Sequence, residues 1–292
     1  MSSTQPTSGR YALTLVCRSA PGQVAAVAAF TARHGAYVEE FSVYDDKPTS
    51  RFFVRAVFRC EAPSATQLAD LRADMVAVAE QASAITWQLH DLAKPLRVLL
   101  MVSRLDHCLL ELLSAWRRGE MPMTPVAIVS NHPDMAPVAE ANGLPFHHLP
   151  VTHATKPQQE AALRDLVSHY EADLVVLARY MQVLSDELCS QLPGRVINIH
   201  HSFLPGFKGA RPYHQAYERG VKLIGATAHF ATPELDEGPI IEQATERVDH
   251  AQGPEDLLNV GRQLECTVLS RALRSVLEHR VFINGQRTVV LR

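Results

Sequence analysis

The stretch from Arg195 to Phe207 carries two polar side chains at the end of a run that is typical of a buried strand. Its β-branched apolar residues are interrupted by Asn198 and His200, at a spacing of two. Alternate residues of a strand point the same way, so an amide donor and an imidazole should project side by side. Pro205-Gly206 then ends the strand, at the edge where open α/β sheets place their ligands.

A second connection, from Thr232 to Pro239, supplies carboxylates that could close over the same edge. The candidate acid or base in it is Asp236, and His229, near the end of the preceding strand, could orient or pair with that carboxylate. A lone polar residue at a strand end is more often a hydrogen-bonded group, and an acidic Pro/Gly loop is more often a solvated turn. An amide, an imidazole and a carboxylate on two adjacent strand ends together favour an acid–base site.

The composition is that of an ordinary globular chain. It has 292 residues, 47% of them hydrophobic, with a formal net charge of -3 and no block of Lys or Arg. This balance argues against a nucleic-acid partner, and the length allows two domains or one large one. No apolar run approaches the length of a membrane span, which predicts no membrane partner and a cytoplasmic location. The five cysteines are widely spaced without a C-x-x-C pair, as expected of core thiols in a reducing compartment.

The first third of the chain predicts a small α+β domain. Residues 1–10 are rich in Ser, Thr, Gln and Pro and are predicted to be a disordered N-terminus. From 11 to 90 the hydrophobic periodicity gives the order β-α-β-β-α-β, the ferredoxin-like arrangement, and 91–95 is the predicted linker.

One face of this small sheet is predicted to form a subunit contact. In its third strand Arg51, Arg55 and Arg59 lie on the face away from the helices, together with apolar Phe53 and Val57. Exposed apolar groups rimmed by charge suggest an interface. We therefore expect a homo-oligomer, a dimer or a tetramer.

Residues 96–292 are predicted to form a doubly wound, mostly parallel α/β sheet, the catalytic domain. It begins with a continuous apolar run from Leu96 to Val102, and strand and helix patterns then alternate. The runs from Lys222 to Phe230 and from Ile240 to Val248 follow each other without a helix. They are therefore predicted to be an antiparallel pair around the loop that contains Asp236.

Common cofactor motifs are missing from this domain. The first βα turn, from Ser103 to Cys108, contains no glycine and cannot match the dinucleotide fingerprint. The stretch from Gly206 to Gly209 lacks the P-loop spacing, and no Gly-x-Ser-x-Gly elbow occurs. We expect no nicotinamide, flavin or nucleotide cofactor.

The motifs Asn-Ile-His-His-Ser-Phe-Leu-Pro at 198–205 and Leu-Asp-Glu-Gly-Pro at 235–239 resemble those of the formyltransferase family, which handles 10-formyltetrahydrofolate. The resemblance extends over the whole second domain. It implies that Asn198, His200 and Asp236 are the catalytic trio. The substrate would then be a tetrahydrofolate derivative.

The segment from Leu177 to Ser185 resembles the part of the family that lines the pteridine pocket. That resemblance implies ring binding by the backbone of three consecutive residues, Gln182, Val183 and Leu184. Lys208 and Arg211 are candidates for binding the carboxylates of the folate tail, and a solvated surface role fits them equally well.

The N-terminal domain resembles an ACT domain, a regulatory module that binds amino acids between subunits. The step Ser19-Ala20-Pro21-Gly22 keeps the Pro-Gly of that module and lacks its acidic residue. An amino-acid effector is accordingly a possible partner, and the fold is expected whether or not one binds.

The formyltransferase family contains transferases and a hydrolase, and the turn from Ser103 to Cys108 separates them. The transferase that acts on glycinamide ribonucleotide holds the acceptor's phosphate with a Gly-rich turn there, which this chain lacks. We therefore expect water as acceptor and hydrolysis of 10-formyltetrahydrofolate to formate and tetrahydrofolate, supporting one-carbon and purine metabolism. The alternative is formyl transfer to a small amine.

In the expected reaction Asn198 and His200 stabilise the oxyanion and Asp236 takes the proton from water, a role that a raised carboxyl pKa would suit.

Two rivals come from other classes. A metal hydrolase would use the histidines and the acid of the same region, namely His200, His201, His214, His229 and Asp236. Neighbouring residues of a strand point to opposite faces and no H-x-x-x-H pair exists, so we expect no metal. A catalytically silent amino-acid sensor is the second rival, and the intact trio argues against it.

Overall fold

The computed structural model describes residues 9–61, 64, 66–206 and 212–292. They divide into two compact units. The first contains the described residues up to Pro95 together with His279–Phe282 and Val289–Arg292. The second contains Leu96–Glu278 and Ile283–Thr288. Among the described residues, no helix has the length and apolar character needed to cross a membrane.

The first unit is built on a four-stranded antiparallel sheet in the order β2-β3-β1-β4. Its strands are β1 (Gly9–Arg18), β2 (Tyr37–Asp46), β3 (Arg51–Cys60) and β4 (Ala84–Asp91), and its helices are α1 (Gln23–Arg33) and α2 (Gln67–Gln81). This is the ferredoxin-like order expected from the sequence. The core lies between sheet and helices, where alternate β3 residues from Val54 to Cys60 are buried.

The opposite face of this sheet is covered in part, so the prediction that it is exposed is wrong for Phe53, Arg55 and Val57, whereas Tyr37 on the same face is exposed. Phe53 and Val57 are fully buried, and the ring of Phe53 packs against Phe282 with centroids 5.6 Å apart. Arg55 is also buried and donates a hydrogen bond of 2.6 Å to Glu40. The covering residues are His279–Phe282 and Val289–Arg292, which the sequence analysis had assigned to the second domain.

The second unit is a seven-stranded sheet in the order β11-β10-β9-β8-β5-β6-β7. Its strands are β5 (Leu96–Val102), β6 (Met123–Ser130), β7 (Phe146–His148), β8 (Leu174–Leu177), β9 (Val196–His200), β10 (Leu223–Phe230) and β11 (Ile240–Arg247). The five strands from β7 to β9 in this order are parallel, and β10 and β11 are antiparallel additions, as predicted.

The helices of this unit are α3 (His107–Arg117), α4 (Ala136–Ala141), α5 (Lys156–His169), α6 (Asp186–Gln191), α7 (Pro212–Glu218) and α8 (Pro254–Leu277), with a 3-10 turn at Pro133–Met135. The longest, α8, starts with Pro254 at its first position, and the Asp256 carboxylate accepts a hydrogen bond of 2.9 Å from the backbone of Gly253.

The strand order reverses between β5 and β8, because β6 and β7 extend the sheet on one side and β8 and β9 on the other. In sheets of this kind ligands bind outside the carboxyl ends of the strands at such a point. The chain ends in a hairpin of β12 (Val281–Asn284) and β13 (Arg287–Val290), as Asn284-Gly285 predicts.

Candidate active site

Strands β9 and β10 bring Asn198 and His229 together. The two residues are directly opposite in the antiparallel register. The Asn198 amide donates to His229 Nε2 over 3.2 Å, and His229 Nδ1 lies 2.9 Å from the carbonyl oxygen of Phe230. A carbonyl only accepts, so the ring proton is on Nδ1 and the lone pair on Nε2. Burial lowers the pKa of His229, which keeps this neutral form.

Asp236 lies between two imidazoles. Its Oδ1 is 3.2 Å from His200 Nδ1 and 3.8 Å from His229 Nε2. The first distance is a hydrogen bond in which the imidazole donates, and the second is a close electrostatic contact. The predicted trio of Asn198, His200 and Asp236 and the supporting His229 are therefore adjacent in space.

The loop that carries Asp236 is folded tightly against β10. Asp236 has a φ of 57°, in the left-handed region that Asp tolerates better than most residues. Phe230 donates its backbone N–H to the Pro239 carbonyl over 3.0 Å. A Cβ on Gly238 would lie 1.7 Å from the Phe230 carbonyl oxygen, so only glycine permits this approach. Backbone contacts, then, fix where the carboxylate stands.

Asp236 is ionised at neutral pH. Burial by itself raises the pKa of the carboxyl, but the hydrogen bond from His200 helps to outweigh burial and lower it. The raised pKa that would suit a general base is thus not what this geometry produces. His201, next along the chain, is neutral because burial and the nearby Arg179 lower its pKa to about 4.

The site opens into a cavity of about 400 Å³, which is large enough for a small organic ligand. Asn198, His200, His229 and Asp236 all line it. The side chain of His200 is 5% exposed, and its Nε2 has no hydrogen-bond partner among the residues that the structure describes. A buried nitrogen without a partner in a cavity wall is suited to bind a ligand atom.

Gln182, Val183 and Leu184 line the same cavity, on the segment between β8 and α6. The segment is anchored at both ends. Met181 donates its backbone N–H to Ser103 Oγ over 2.9 Å, and Ser185 donates to Glu160 Oε1 over 2.8 Å. Within the described parts of the chain, no backbone hydrogen bond is formed by the three residues between these anchors. Their donors and acceptors are free to bind a planar polar ring.

Two predicted binding residues, Lys208 and Arg211, lie outside the described residues. The histidines that a metal hydrolase would use do not all come together. His214 is exposed on α7, whereas His200 and His229 line the cavity. The three described residues that do place metal-type ligand atoms within 4.8 Å of one another are His107, Cys108 and Glu265.

Glu265 belongs to an ion-pair cluster that the sequence analysis missed. It is 1% exposed, its Oε2 accepts from His107 Nε2 over 2.7 Å, and its Oε1 accepts from the Tyr213 hydroxyl over 2.9 Å. Arg179 Nε lies 3.2 Å from the same Oε2. A guanidinium at that distance disfavours a second cation, so the cluster is better described as a neutralised carboxylate than as a metal centre.

A signal for Glu265 is present in the sequence. It lies on the stripe of α8 that includes Gly261, Val268, Leu269 and Ala272, all of them buried. A carboxylate on an apolar helix face needs a buried partner. The partner is Arg179, which is part of the segment that the sequence analysis singled out for its backbone alone.

Comparisons with known proteins agree with this geometry. A family model described as formyl transferase matches residues 96–273. The formyltetrahydrofolate deformylase of Corynebacterium sp. (strain P-1) is 51% identical over 97% of this chain and 98% of its own length, and that of Escherichia coli (strain K12) is 39% identical over the same shares.

The solved structures that match this chain include deformylases and transformylases, and the two groups match it to different extents. A formyltetrahydrofolate deformylase from Burkholderia mallei is 56% identical, with a TM-score of 0.92 over 97% of this chain and 100% of its own. Glycinamide ribonucleotide transformylase 1 from Symbiobacterium toebii is 31% identical, with a TM-score of 0.63 over 68% of this chain and 95% of its own. The chain therefore belongs to the formyl transferase family, and within it to the formyltetrahydrofolate deformylases.

Proposed function

We propose that the protein hydrolyses 10-formyltetrahydrofolate to formate and tetrahydrofolate. The observation that carries this proposal is the full-length similarity to proteins named formyltetrahydrofolate deformylase. The geometry supports it, because an amide, an imidazole and an ionised carboxylate meet in one cavity.

The reaction assigns a separate task to each of the three groups. Water adds to the formyl carbon, and the Asp236 carboxylate accepts its proton. Negative charge then develops on the formyl oxygen. Asn198 donates only one of its two amide N–H bonds to His229 and can donate the other to this oxygen, while His200, whose Nε2 has no partner among the described residues, can form a second contact to it. Each such donor is typically worth about 10²–10³ in rate. The C–N bond breaks, and the folate nitrogen receives the proton.

The free backbone groups of Gln182, Val183 and Leu184 are the proposed contacts of the pteridine ring. Lys208 and Arg211 stay candidates for the tail carboxylates. The mechanism needs no cofactor and no metal. The homo-oligomer, dimer or tetramer, the amino-acid effector, the cytoplasmic location and the lack of a nucleic-acid partner stay predictions.

Formyl transfer to a small amine acceptor is not favoured. The glycinamide ribonucleotide transformylase matches only 68% of this chain, whereas the proteins that match it over nearly its full length are named deformylases.

The test is to mix the purified protein with 10-formyltetrahydrofolate and to measure formate and tetrahydrofolate, with and without EDTA. We expect equimolar products at the same rate in both samples. A protein that releases no formate would refute the proposal. Activity lost with EDTA and restored by Zn²⁺ would favour the metal-hydrolase rival.

A further inference from the structure

Arg179 is a buried arginine in the wall of the candidate active site, and the mechanism above does not use it. It follows β8, its side chain is 8% exposed, and it lines the same cavity as Asn198, His200 and Asp236. Its φ of 65° lies in the left-handed region, and Ser103 donates a backbone hydrogen bond of 3.1 Å to its carbonyl. Such strained residues concentrate at ligand-binding sites, which points to a function beyond packing.

Among the described residues, the guanidinium of Arg179 has a charge partner but no hydrogen bond. Arg179 Nε lies 3.2 Å from Glu265 Oε2, but its N–H is not directed at that oxygen. The buried Nε therefore has no hydrogen-bond partner among the described residues. The terminal nitrogens are not enclosed, and the residue lines the cavity. Two N–H groups on one edge of a guanidinium match the two oxygens of a carboxylate.

Glu265 neutralises the charge of Arg179 without taking its N–H groups. The two carboxylate oxygens already accept hydrogen bonds from His107 and Tyr213, over 2.7 and 2.9 Å. A buried donor without an acceptor is costly, because it has lost its hydrogen bonds to water. The arrangement therefore favours a ligand that brings oxygen acceptors to Arg179.

We propose that Arg179 binds the formate that the reaction produces, as a carboxylate subsite in the wall of the cavity. This inference rests on the proposed function. Hydrolysis forms a C–O bond from water and breaks the C–N bond, so the formyl carbon leaves as a planar two-oxygen anion beside the catalytic trio. One proton from water goes through Asp236 to the folate nitrogen, and the second dissociates to solvent as formate ionises.

Carboxylates also occur on the glutamate tail of the folate, so the test must separate the two sources. If Arg179 binds formate, replacing it leaves the KM for 10-formyltetrahydrofolate within about 3-fold, since the substrate carries no formate. If Arg179 binds the tail, the KM rises for the intact substrate and not for 10-formyltetrahydropteroate, which lacks glutamate. That second result would overturn the proposal.

The direct experiment titrates [13C]formate into the folate-free protein and follows binding by NMR. The variants are Arg179→Lys, which keeps the charge and loses the planar fork, Arg179→Gln and Glu265→Gln. We expect formate affinity to fall about 10-fold with lysine and further with glutamine. Glu265→Gln should raise it about 10-fold, because the guanidinium then lacks its counter-charge. A purely structural ion pair predicts no gain in the Glu265 variant.

Arg164→Gln is the matched control, because Arg164 also pairs with a glutamate, Glu187 at 2.7 Å, and lies on α5 outside the cavity. It should leave formate affinity within about 2-fold. Thermal denaturation of every variant shows which ones fold, and Arg179→Lys decides the question if Arg179→Gln does not fold. Equal formate affinity in wild type and Arg179→Lys, or no binding by wild type, would refute the subsite.

The two proposals fail in different ways. A protein that binds formate through Arg179 but releases none from 10-formyltetrahydrofolate refutes the proposed function and keeps the carboxylate subsite. A protein that releases formate and binds none refutes the subsite alone.

Discussion

At the scale of single residues, the site depends on one carboxylate oxygen placed between two rings. Asp236 Oδ1 accepts from His200 over 3.2 Å and lies 3.8 Å from His229. The hydrogen bond from His200 helps to keep the carboxyl ionised, so the charge state of Asp236 depends on its neighbour. Replacing either Asp236 or His200 should therefore lower activity by more than the loss of one hydrogen bond would.

We expect Asp236→Asn and His200→Ala each to lower kcat by at least about 10², because both groups act in the transition state. The melting temperature should change little in Asp236→Asn, which keeps the shape of the side chain. Steady-state formate release by the folded variants is the measurement. Near-normal turnover in either of them would contradict the assigned roles.

The sequence predicts much of this site and little of its surroundings. The spacing of two in β9 identifies Asn198 and His200, because a strand fixes where alternate side chains point. The sequence marks Glu265 only as a carboxylate on an apolar helix face and does not identify its partner, because Arg179 is 86 residues away. Nor does it give the pKa of Asp236, which depends on distances to rings that come from two different strands.

At the scale of elements, the turn between β10 and β11 places the carboxylate by backbone contact alone. Gly238→Ala would put a methyl group 1.7 Å from the Phe230 carbonyl oxygen, so the loop must shift and carry Asp236 away from His200. We expect kcat to fall by at least about 10-fold, since small misplacements of catalytic groups are costly. Measuring kcat alongside the melting temperature separates this effect from unfolding.

Gly220→Ala is a useful comparison for Gly238→Ala. Gly220 follows α7 with a φ of 61°, and a Cβ there would meet no atom within 4 Å. Its substitution should reduce stability by about 1 kcal/mol through backbone strain and leave kcat unchanged. Equal kcat losses in the two glycine variants would contradict the positioning role of the β10–β11 loop.

Two stacked histidines make the first unit sensitive to acid. His90 on β4 and His279 after α8 stack with centroids 3.5 Å apart. Burial lowers the pKa of His90 to about 4 and that of His279 to about 3. In the unfolded chain both histidines have the ordinary pKa of about 6.5, so they take up protons more readily there. Their neutral, buried state therefore stabilises the fold fully above pH 6.5. This stabilisation is lost as the pH falls toward 4 for His90 and toward 3 for His279.

We expect the free energy of unfolding to drop by about 5 kcal/mol between pH 6.5 and 4 on account of this pair. His90→Phe keeps the ring and removes one titration, so its profile should be flatter. Urea unfolding at several pH values measures this, with His153→Gln at an exposed site as the control. A wild-type slope in His90→Phe would show that the pair is not responsible.

At the scale of the whole molecule, the two units do not follow the order of the chain. Residues after α8 complete the first unit, where Phe282, Leu291 and Val289 pack with Phe53 and Val16. The sequence does not reveal this arrangement, because short apolar strands near residue 285 fit any open sheet face equally well. Consequently the part of the β3 face around Phe53 that looked like a subunit contact is an internal surface.

We expect Phe282→Ala to destabilise the first unit by about 3–4 kcal/mol, because it empties a buried aromatic site against Phe53. The neighbouring Ile283 is 44% exposed, and Ile283→Ala should cost less than about 1 kcal/mol. Urea unfolding followed by far-UV circular dichroism measures both. A Phe282 variant as stable as the Ile283 variant would contradict the packing described here.

This arrangement also has a consequence for how the protein is made. Residues 9–91 are translated before the second unit, yet the strip that packs against Phe53 is translated about 190 residues later, at roughly 5–20 residues per second. For about ten seconds or more, apolar residues on one face of the first sheet are exposed to solvent, and chaperones or neighbouring nascent chains can bind them. The domain that is translated first is therefore among the last to be finished.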